Sequence, residues 1–287
     1  MKTIRVAVLF LACAVLAVGC GGEKSTAAKP KVIGAALLTQ THVFYQDMVA
    51  AMQAAADKQG FKLRLQYAEF DSRKQNDQVE TFIAQGVDAI IVAPNDSSGM
   101  TPVITEARAK NIPVFTADIA AHGAPVVSHI ASDNEAGGRI LAEYLAKRLN
   151  GKGKIAIIDH PGTASVQERV RGFEQAIAKF PEMQIVARAP GDGQRDKALR
   201  AAQDLIQAHT DLSAIFGIND DSALGALAAV EAAGLQDKLI IVGFDGTPEA
   251  EAAIKAGKAL KADTGQYPKK IGERTIETIA AVLRGET

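Results

Sequence analysis

Polar and aromatic residues follow several short apolar runs of this sequence, and their types suit ligand chemistry. Asp245 follows LIIVGF, Asp118 follows VFTA, and Asn219 follows AIFGI, while Phe44 and Tyr45 stand together shortly after VIGAALL. A carboxylate or an amide can hydrogen-bond two neighbouring hydroxyl groups at once. An aromatic ring can cover an apolar C–H face and exclude water from it. These residues therefore fit a ligand that has an edge of hydroxyl groups and an apolar face.

Asp245 could instead be a nucleophile. The string GFDGT is similar to the D-x-D-G-T motif of phosphatases of the haloacid dehalogenase type, in which the first Asp attacks phosphorus. Gly243 stands at that first position. About 40 residues follow, too few for a phosphatase domain that is built after its first strand. The sequence therefore favours hydrogen bonding by Asp245 over attack on phosphorus.

Other catalytic and metal chemistries find little support in the sequence. The two cysteines, Cys13 and Cys20, lie near the N-terminus, and no G-x-S-x-G motif is present. His129 and Asp133 have no third candidate ligand at a typical spacing. We expect no enzyme activity, no metal and no cofactor.

The bulk composition narrows the class of protein further. The chain has 287 residues, of which 47% are hydrophobic and 23% charged, as in an ordinary globular protein. This length allows two modest domains. The formal net charge of −1 offers no basic field for nucleic acid. We expect a monomer that binds a small molecule.

The first 20 residues are typical of an export signal. A basic start precedes the apolar run VAVLFLACAVLAV, which is shorter than the roughly 20 residues that span a bilayer. The run ends in AVGC, which resembles a bacterial lipoprotein signal with Cys20 as the lipidated residue. Ordinary cleavage, with Ala17 and Gly19 as the small residues, is the alternative. Residues 21–30 then form a flexible tether, and the protein is expected in the periplasm or on the outer face of the cytoplasmic membrane.

From Lys31 onward, apolar runs alternate with amphipathic ones. This rhythm predicts an α/β protein with doubly wound parallel sheets covered by helices. Strands are expected at 32–38, 63–67, 89–92, 114–116, 126–130, 154–159, 184–187, 214–217 and 239–244, with a further short strand after Leu260. Helices are expected at 46–59, 74–85, 100–110, 135–150, 166–179, 197–209 and 222–233, followed by two helices that begin near Pro248 and Pro268.

The irregular stretch around residue 131 interrupts this alternation and divides the chain into two lobes. We expect an N-terminal lobe formed by residues 31–131 and 265–287 and a C-terminal lobe formed by residues 132–264. Parallel sheets bind ligands beyond the carboxyl ends of their strands. The polar residues named above should therefore line one cleft between the lobes.

Six ordered motifs make residues 31–287 resemble the periplasmic binding proteins of the ribose-binding type. They are QGVDAIIVAPNDS, NIPVFTAD, VVSHIASDNEAGG, GTASVQERVRGF, FGINDDSALGALAAV and IIVGFDGTPEA. The resemblance implies a type I periplasmic binding protein fold with two lobes joined by a hinge. It also implies a sugar or polyol bound between the lobes and delivery of that ligand to the permease of an ABC transporter.

The resemblance also transfers roles to individual residues. Phe44 and Tyr45 match an aromatic pair that packs on the sugar, and Asp118 matches a carboxylate that accepts two hydroxyl groups. In the second lobe, ligand contacts are implied for Arg169, Asn219, Phe244, Asp245 and Gln266. Asp220 and Asp221 are expected to be helix-start residues instead.

The sequence also departs from the ribose-binding pattern. Ala93 replaces an Asn, Ile119 an Arg and Gly193 an aromatic residue, while His42 and His160 stand where an Asn and an aliphatic residue are found. We expect both histidines to contact the ligand, and we expect a monosaccharide or polyol other than ribose, bulkier near Gly193.

Two alternative functions remain. One is a sensor that presents the ligand to a membrane receptor. A repressor of the lactose type would need an N-terminal helix-turn-helix in place of the export signal. The family also has an extended segment after the last helix, so the sequence leaves open whether its C-terminus is truncated.

Overall fold

A computed structural model describes residues 29–286. The predicted export signal, the lipidation of Cys20 and most of the tether lie outside these residues. The described part contains two five-stranded sheets in which every strand pairs in parallel with its neighbours. The predicted α/β fold class, with two doubly wound lobes, is confirmed.

The first sheet has the order β2-β1-β3-β4-β5. Its strands and the helices that follow them along the chain are β1 (Val32–Leu37), α1 (Val43–Gln59), β2 (Lys62–Tyr67), α2 (Ser72–Ala84), β3 (Ala89–Val92), α3 (Thr101–Ala109), β4 (Val114–Ala117) and β5 (Ser128–Ile130).

The second sheet has the order β10-β9-β8-β6-β7. Its elements are α4 (Asn134–Arg148), β6 (Lys152–Asp159), α5 (Ala164–Ile177), β7 (Glu182–Pro190), α6 (Arg195–Ala208), β8 (Leu212–Gly217), α7 (Asp220–Ala232), β9 (Ile240–Asp245), α8 (Pro248–Lys255) and β10 (Leu260–Gly265), and the last helix is α9 (Pro268–Leu283).

The chain crosses between the sheets after β5 and again after β10. Helix α4 packs against α5 on the second sheet, whereas α9 returns to the first sheet and packs against α1. Gly272 allows this second contact, because a Cβ there would overlap the carbonyl oxygen of Met48. The lobe boundaries at residues 131 and 265 stay a prediction that these contacts support.

The central strands are buried and continuously apolar, as strands covered by helices on both faces must be. Residues Ala89–Val92 of β3 are fully buried, and so are most residues of β9. Edge strand β7 is only partly buried and mixes polar with apolar residues, which explains why its nine residues extend beyond the predicted 184–187.

Candidate functional site

The cleft between the two lobes contains about 470 Å³ of empty space that is partly open to solvent. All of the predicted ligand residues except Phe244 line it: His42, Tyr45 and Phe44, Asp118, His160, Arg169, Asn219, Asp245 and Gln266. Residues not predicted as ligand contacts complete the wall: Leu38, Thr39, Phe70, Ile119, Thr163, Ser165, Val166, Gly193 and Ile218.

His42 is the N-cap of α1, so this helix begins three residues earlier than predicted. The Nδ1 atom of His42 accepts a hydrogen bond of 3.1 Å from the backbone N–H of Phe44. Phe44 and Tyr45 therefore lie in the first turn of α1 and not in a preceding loop. Their rings pack edge to face, with centroids 5.4 Å apart. The cap fixes both rings at the edge of the cleft.

Since Nδ1 of His42 accepts that bond, the ring proton is assigned to Nε2. This atom lies 3.4 Å from Asp245 Oδ2 and 3.7 Å from Asp221 Oδ2, which both belong to the second lobe. His42 thus joins the two lobes across the cleft.

Asp118 follows β4 and is 6% exposed. The hydroxyl group of Tyr45 donates to its Oδ2 over 2.7 Å, which leaves Oδ1 for other donors. Burial raises the pKa of Asp118 to about 6, against the opposing effects of Arg169 and of the Tyr45 hydrogen bond. The same burial raises the pKa of Tyr45 well above its ordinary value, so its hydroxyl stays a donor.

Asp245 ends β9 in the opposite wall. Its Oδ1 accepts a hydrogen bond of 2.8 Å from Gln266 Nε2. Burial raises its pKa to about 6, while His42 and Arg169 act in the opposite direction. Within the described residues, Gln266 Oε1 is buried without a hydrogen-bond partner. A hydroxyl group of a ligand could satisfy that acceptor.

Arg169 is buried, with 4% of its surface exposed. Its Nε donates to Asn134 Oδ1 and its Nη1 to the carbonyl oxygen of Ile218, each over 2.9 Å. Nη1 also lies 3.9 Å from Asp245 Oδ1. The guanidinium is therefore rigidly directed at the cleft.

Phe244 does not line the cleft, which corrects the prediction of a pocket aromatic. Its side chain points into the core of the second lobe and is 1% exposed. The Arg169 guanidinium carbon lies 3.9 Å above its ring centroid, a cation–π contact. Because β9 alternates its side chains, Phe244 and Asp245 point in opposite directions. Phe244 therefore contacts the face of the Arg169 guanidinium and helps to position it.

Asn219 is the N-cap of α7, and most of its amide is engaged. Its Oδ1 accepts from the backbone N–H of Ser222 over 2.9 Å, and its Nδ2 donates to the carbonyl oxygen of Gly193 over 3.1 Å. One amide hydrogen is left for a ligand. Its neighbour Asp220 starts the helix and bonds the backbone N–H of Thr247 over 2.7 Å, as a structural residue would.

The histidines differ in their surroundings. Burial lowers the pKa of His160, so its ring is neutral and can both donate and accept. His129 lies outside the cleft lining, where its Nδ1 is 2.9 Å from Thr116 Oγ1, while Asp133 caps α4. Between residues 29 and 286, no three His, Cys, Asp or Glu side chains are grouped so that they could hold a metal ion.

The comparison with known proteins decides the family. The model of the periplasmic binding protein domain matches residues 33–287. The chain belongs to this family. The resemblance carried by the six motifs is thereby confirmed. Over the described residues, no helix has the length and apolar character needed to cross a bilayer.

Two named relatives of this family match 96% and 76% of this chain. The ribose import binding protein RbsB of Escherichia coli K12 is 37% identical over 278 residues, which are 96% of this chain and 93% of that protein. The D-ribose/D-allose-binding protein of Pseudomonas aeruginosa is 33% identical and covers 76% of this chain and 70% of its own. Both are named as binding proteins.

Solved structures show the same architecture with ligands bound. A solute-binding protein of a Bacillus halodurans ABC transporter, with bound myo-inositol, is 31% identical at a TM-score of 0.83 and covers 89% of this chain and 90% of its own. A periplasmic solute-binding protein from Actinobacillus succinogenes, with bound D-allose, is 30% identical at a TM-score of 0.80 and covers 90% and 93%.

Proposed function

We propose that this protein captures a monosaccharide or polyol between its lobes and delivers it to the permease of an ABC transporter. The observation that carries the proposal is the convergence of two carboxylates, a fixed guanidinium and an aromatic pair, from both lobes, on one cleft. The family and the ligands named for its relatives point to the same class of ligand.

The arrangement suits binding better than catalysis. Asp245 is bonded to Gln266 and faces Arg169, and the residue two positions before it is Gly243. We infer that Asp118 and Asp245 each accept hydroxyl hydrogens, that Arg169 donates to a ring or hydroxyl oxygen, and that Phe44 covers a C–H face. Purified protein with magnesium and a phosphomonoester should release no phosphate.

The ligand is best identified by mass spectrometry of small molecules released from the purified protein. A thermal-shift screen then compares D-ribose, D-allose, myo-inositol and xylitol, and calorimetry measures the dissociation constants. A ligand present at about 100 times its dissociation constant should stabilise the protein by roughly 2.7 kcal/mol. We expect D-ribose to bind more weakly than the true ligand, since Ala93 and Ile119 cannot hydrogen-bond it.

Asp245→Asn tests the site directly. Removing the charge weakens hydrogen bonds from ligand hydroxyls, and such bonds contribute about 1.5–3 kcal/mol, so the affinity should fall by roughly tenfold to a hundredfold. Asp211→Asn is the matched control, because Asp211 is exposed and pairs with Lys154. Unchanged affinity in Asp245→Asn would place the ligand elsewhere.

Membrane attachment and oligomeric state are separate parts of the proposal. We infer from the sequence that Cys20 carries a lipid, that the protein is otherwise extracytoplasmic, and that it acts as a monomer. Labelling of cells with a fatty-acid analogue should mark the wild-type chain and leave Cys20→Ala unmarked. Size-exclusion chromatography with light scattering tests the monomer.

A further inference from the structure

The turn between β2 and α2 holds two consecutive residues in a backbone conformation that favours glycine. Glu69 has φ +53° and Phe70 has φ +63°, although neither is glycine. Non-glycine residues persist in this region only where their surroundings hold them, and they concentrate at functional sites. The surroundings of this turn must therefore hold it in this conformation.

Specific contacts tie this turn to the neighbouring loops. The Glu69 carboxylate accepts hydrogen bonds from the Thr39 hydroxyl (2.7 Å) and from the Gln40 N–H (3.2 Å). The backbone N–H of Phe70 donates to the carbonyl oxygen of Leu38 over 3.2 Å, and its own carbonyl accepts from Asn95. The result is that the half-buried Phe70 ring lines the cleft.

Gly193 lies opposite this ring, in the second lobe. A Cβ at Gly193 would lie 3.8 Å from Phe70 Cε1, 3.7 Å from His160 Nδ1 and 3.4 Å from Asn219 Nδ2. Any larger side chain there would compete with the Phe70 ring for space. The first lobe thus supplies an aromatic face at a point where the second lobe supplies only backbone and two polar groups.

The cleft around Phe70 is apolar on the side of the first lobe and polar on the side of the second lobe. Leu38, Phe44 and Ile119 of the first lobe are apolar and lie in the same core cluster that Phe70 packs against. On the side of the second lobe, His160 and Asn219 offer a neutral imidazole and an amide hydrogen. A ligand held here would meet rings and aliphatic groups on one side and hydrogen-bonding groups on the other.

We propose that Phe70 is a ligand-contacting residue that selects cyclic ligands, its ring packing on their C–H face in the space left by Gly193. This inference rests on the proposed function and deepens it: the ligand is a ring-form sugar or a cyclitol, and an acyclic polyol is bound poorly. The hydroxyl edge of the ring faces the second lobe. A flat ring supplies large apolar contact area with few rotatable bonds, which suits this task.

Phe70→Gly separates ligand contact from a structural role. Glycine adopts a positive φ without strain, so the variant should keep the turn. Loss of the packing between the half-buried ring and the core cluster should lower the unfolding temperature, which is measured separately without ligand. Calorimetry with D-allose, myo-inositol and xylitol then reports selectivity. We expect affinity for the preferred ring ligand to fall by at least about tenfold, the order set by loss of an aromatic contact, and the preference over xylitol to shrink.

Two further variants complete the test. Phe180→Ala removes another half-buried phenylalanine, which lies outside the cleft lining, and should bind like the wild type. Phe70→Leu, which keeps apolar bulk without a flat ring, should lose part of the affinity and covers the case in which Phe70→Gly unfolds. Wild-type affinity and selectivity in the folded variants would overturn the role of Phe70. If the wild type binds no sugar or polyol, neither these probes nor a compound released from the purified protein, the proposed function fails, and this inference fails with it.

Discussion

The two carboxylates that face the cleft both sit in unusual backbone conformations. Asp118 has φ +66° and Asp245 has φ +127°. Aspartate tolerates positive φ better than most residues, because its short side chain can hydrogen-bond locally. Each therefore points its carboxylate away from the sheet and into the cleft. The strain lies at the strand ends that line the cleft, where the proposed function places the ligand.

A second pair of aspartates lies behind Asp245. Asp220 and Asp263 face each other across Gly243, where a Cβ would lie 3.2 Å from Asp220 Oδ1 and 3.5 Å from Asp263 Oδ2. Burial and the neighbouring carboxylate raise the pKa of Asp220 to about 9, and burial raises that of Asp263 to about 6. At neutral pH the pair is an acid beside a carboxylate, sharing one proton.

Asp220→Asn should therefore remove a pH dependence of stability. The folded state holds the proton of Asp220 up to about pH 9, whereas an unfolded aspartate loses it near pH 4. The free energy of unfolding should thus fall as pH rises from 6 to 9, by up to about 1.4 kcal/mol per unit. Asparagine still accepts from the Thr247 N–H and donates to Asp263, so the slope should flatten.

Urea unfolding at pH 6, 7, 8 and 9 measures this slope for the wild type and the variant. Asp204→Asn, at an exposed position on α6, should keep the wild-type slope. Equal slopes in wild type and Asp220→Asn would show that the pair holds no such proton.

At the scale of elements, the start of α5 depends on the other lobe. The N-cap residue Thr163 makes no capping bond to its own helix; its hydroxyl donates to the carbonyl oxygen of His160 instead. Ser97, from the loop after β3, accepts from the backbone N–H of Ala164 over 2.9 Å and donates its own N–H to Gly162 over 3.1 Å. The first lobe therefore caps the helix that carries Arg169.

Ser97→Ala should weaken ligand binding although Ser97 does not line the cleft. A helix cap contributes about 1 kcal/mol, so we expect roughly fivefold weaker affinity, seen mainly as faster ligand release in stopped-flow measurements. The loss arises because this cap forms only while the lobes touch. Ser98→Ala, at the exposed neighbouring position, should leave the ligand affinity and the release rate unchanged. An unchanged release rate in Ser97→Ala would mean that the cap adds nothing to closure.

Elements and sites differ in how far the sequence predicts them. The alternation of apolar and amphipathic runs predicts the strands well, since buried parallel strands are short and continuously apolar. The start of α1 was missed because histidine is not a usual N-cap. Phe70 follows β2 just as Asp118 follows β4, so the rule that ligands bind at strand ends could have found it.

The sequence alone does not predict the contacts between the lobes. Nothing in the string PNDSSG shows that Ser97, and not Ser98, caps a helix 67 positions further along the chain. The position of Phe244 is similar. Its neighbour Asp245 was placed correctly at the cleft, but the contact of the Phe244 ring with Arg169 depends on how the fold brings α5 and β9 together.

At the scale of the whole molecule, closure and proton binding are linked. The described arrangement has the lobes in contact, with a hydrogen bond from the backbone N–H of Ala164 to Ser97 Oγ and another between the side chains of His122 and Gln167. In this state Asp118 and Asp245 are buried, and burial disfavours their charged forms. Hydroxyl groups that donate to the two carboxylates offset this cost. A ligand that contacts both lobes therefore favours the closed state over the open one.

Ligand affinity should consequently fall in acid. Below the pKa of about 6 that burial gives Asp118 and Asp245, each carboxyl takes up a proton that ligand hydroxyls must displace. Ligand binding favours the ionised forms and releases protons. The dissociation constant should then rise as pH drops from 7 to 5, by up to about tenfold per unit for each carboxyl.

Calorimetry in buffers of different ionisation enthalpy measures both the dissociation constant and the number of protons released. Small-angle scattering at the same pH values should show less ligand-induced compaction at pH 5 when the ligand is subsaturating. A constant affinity across this range, with no proton release, would mean that neither carboxylate accepts a ligand hydroxyl in the closed state.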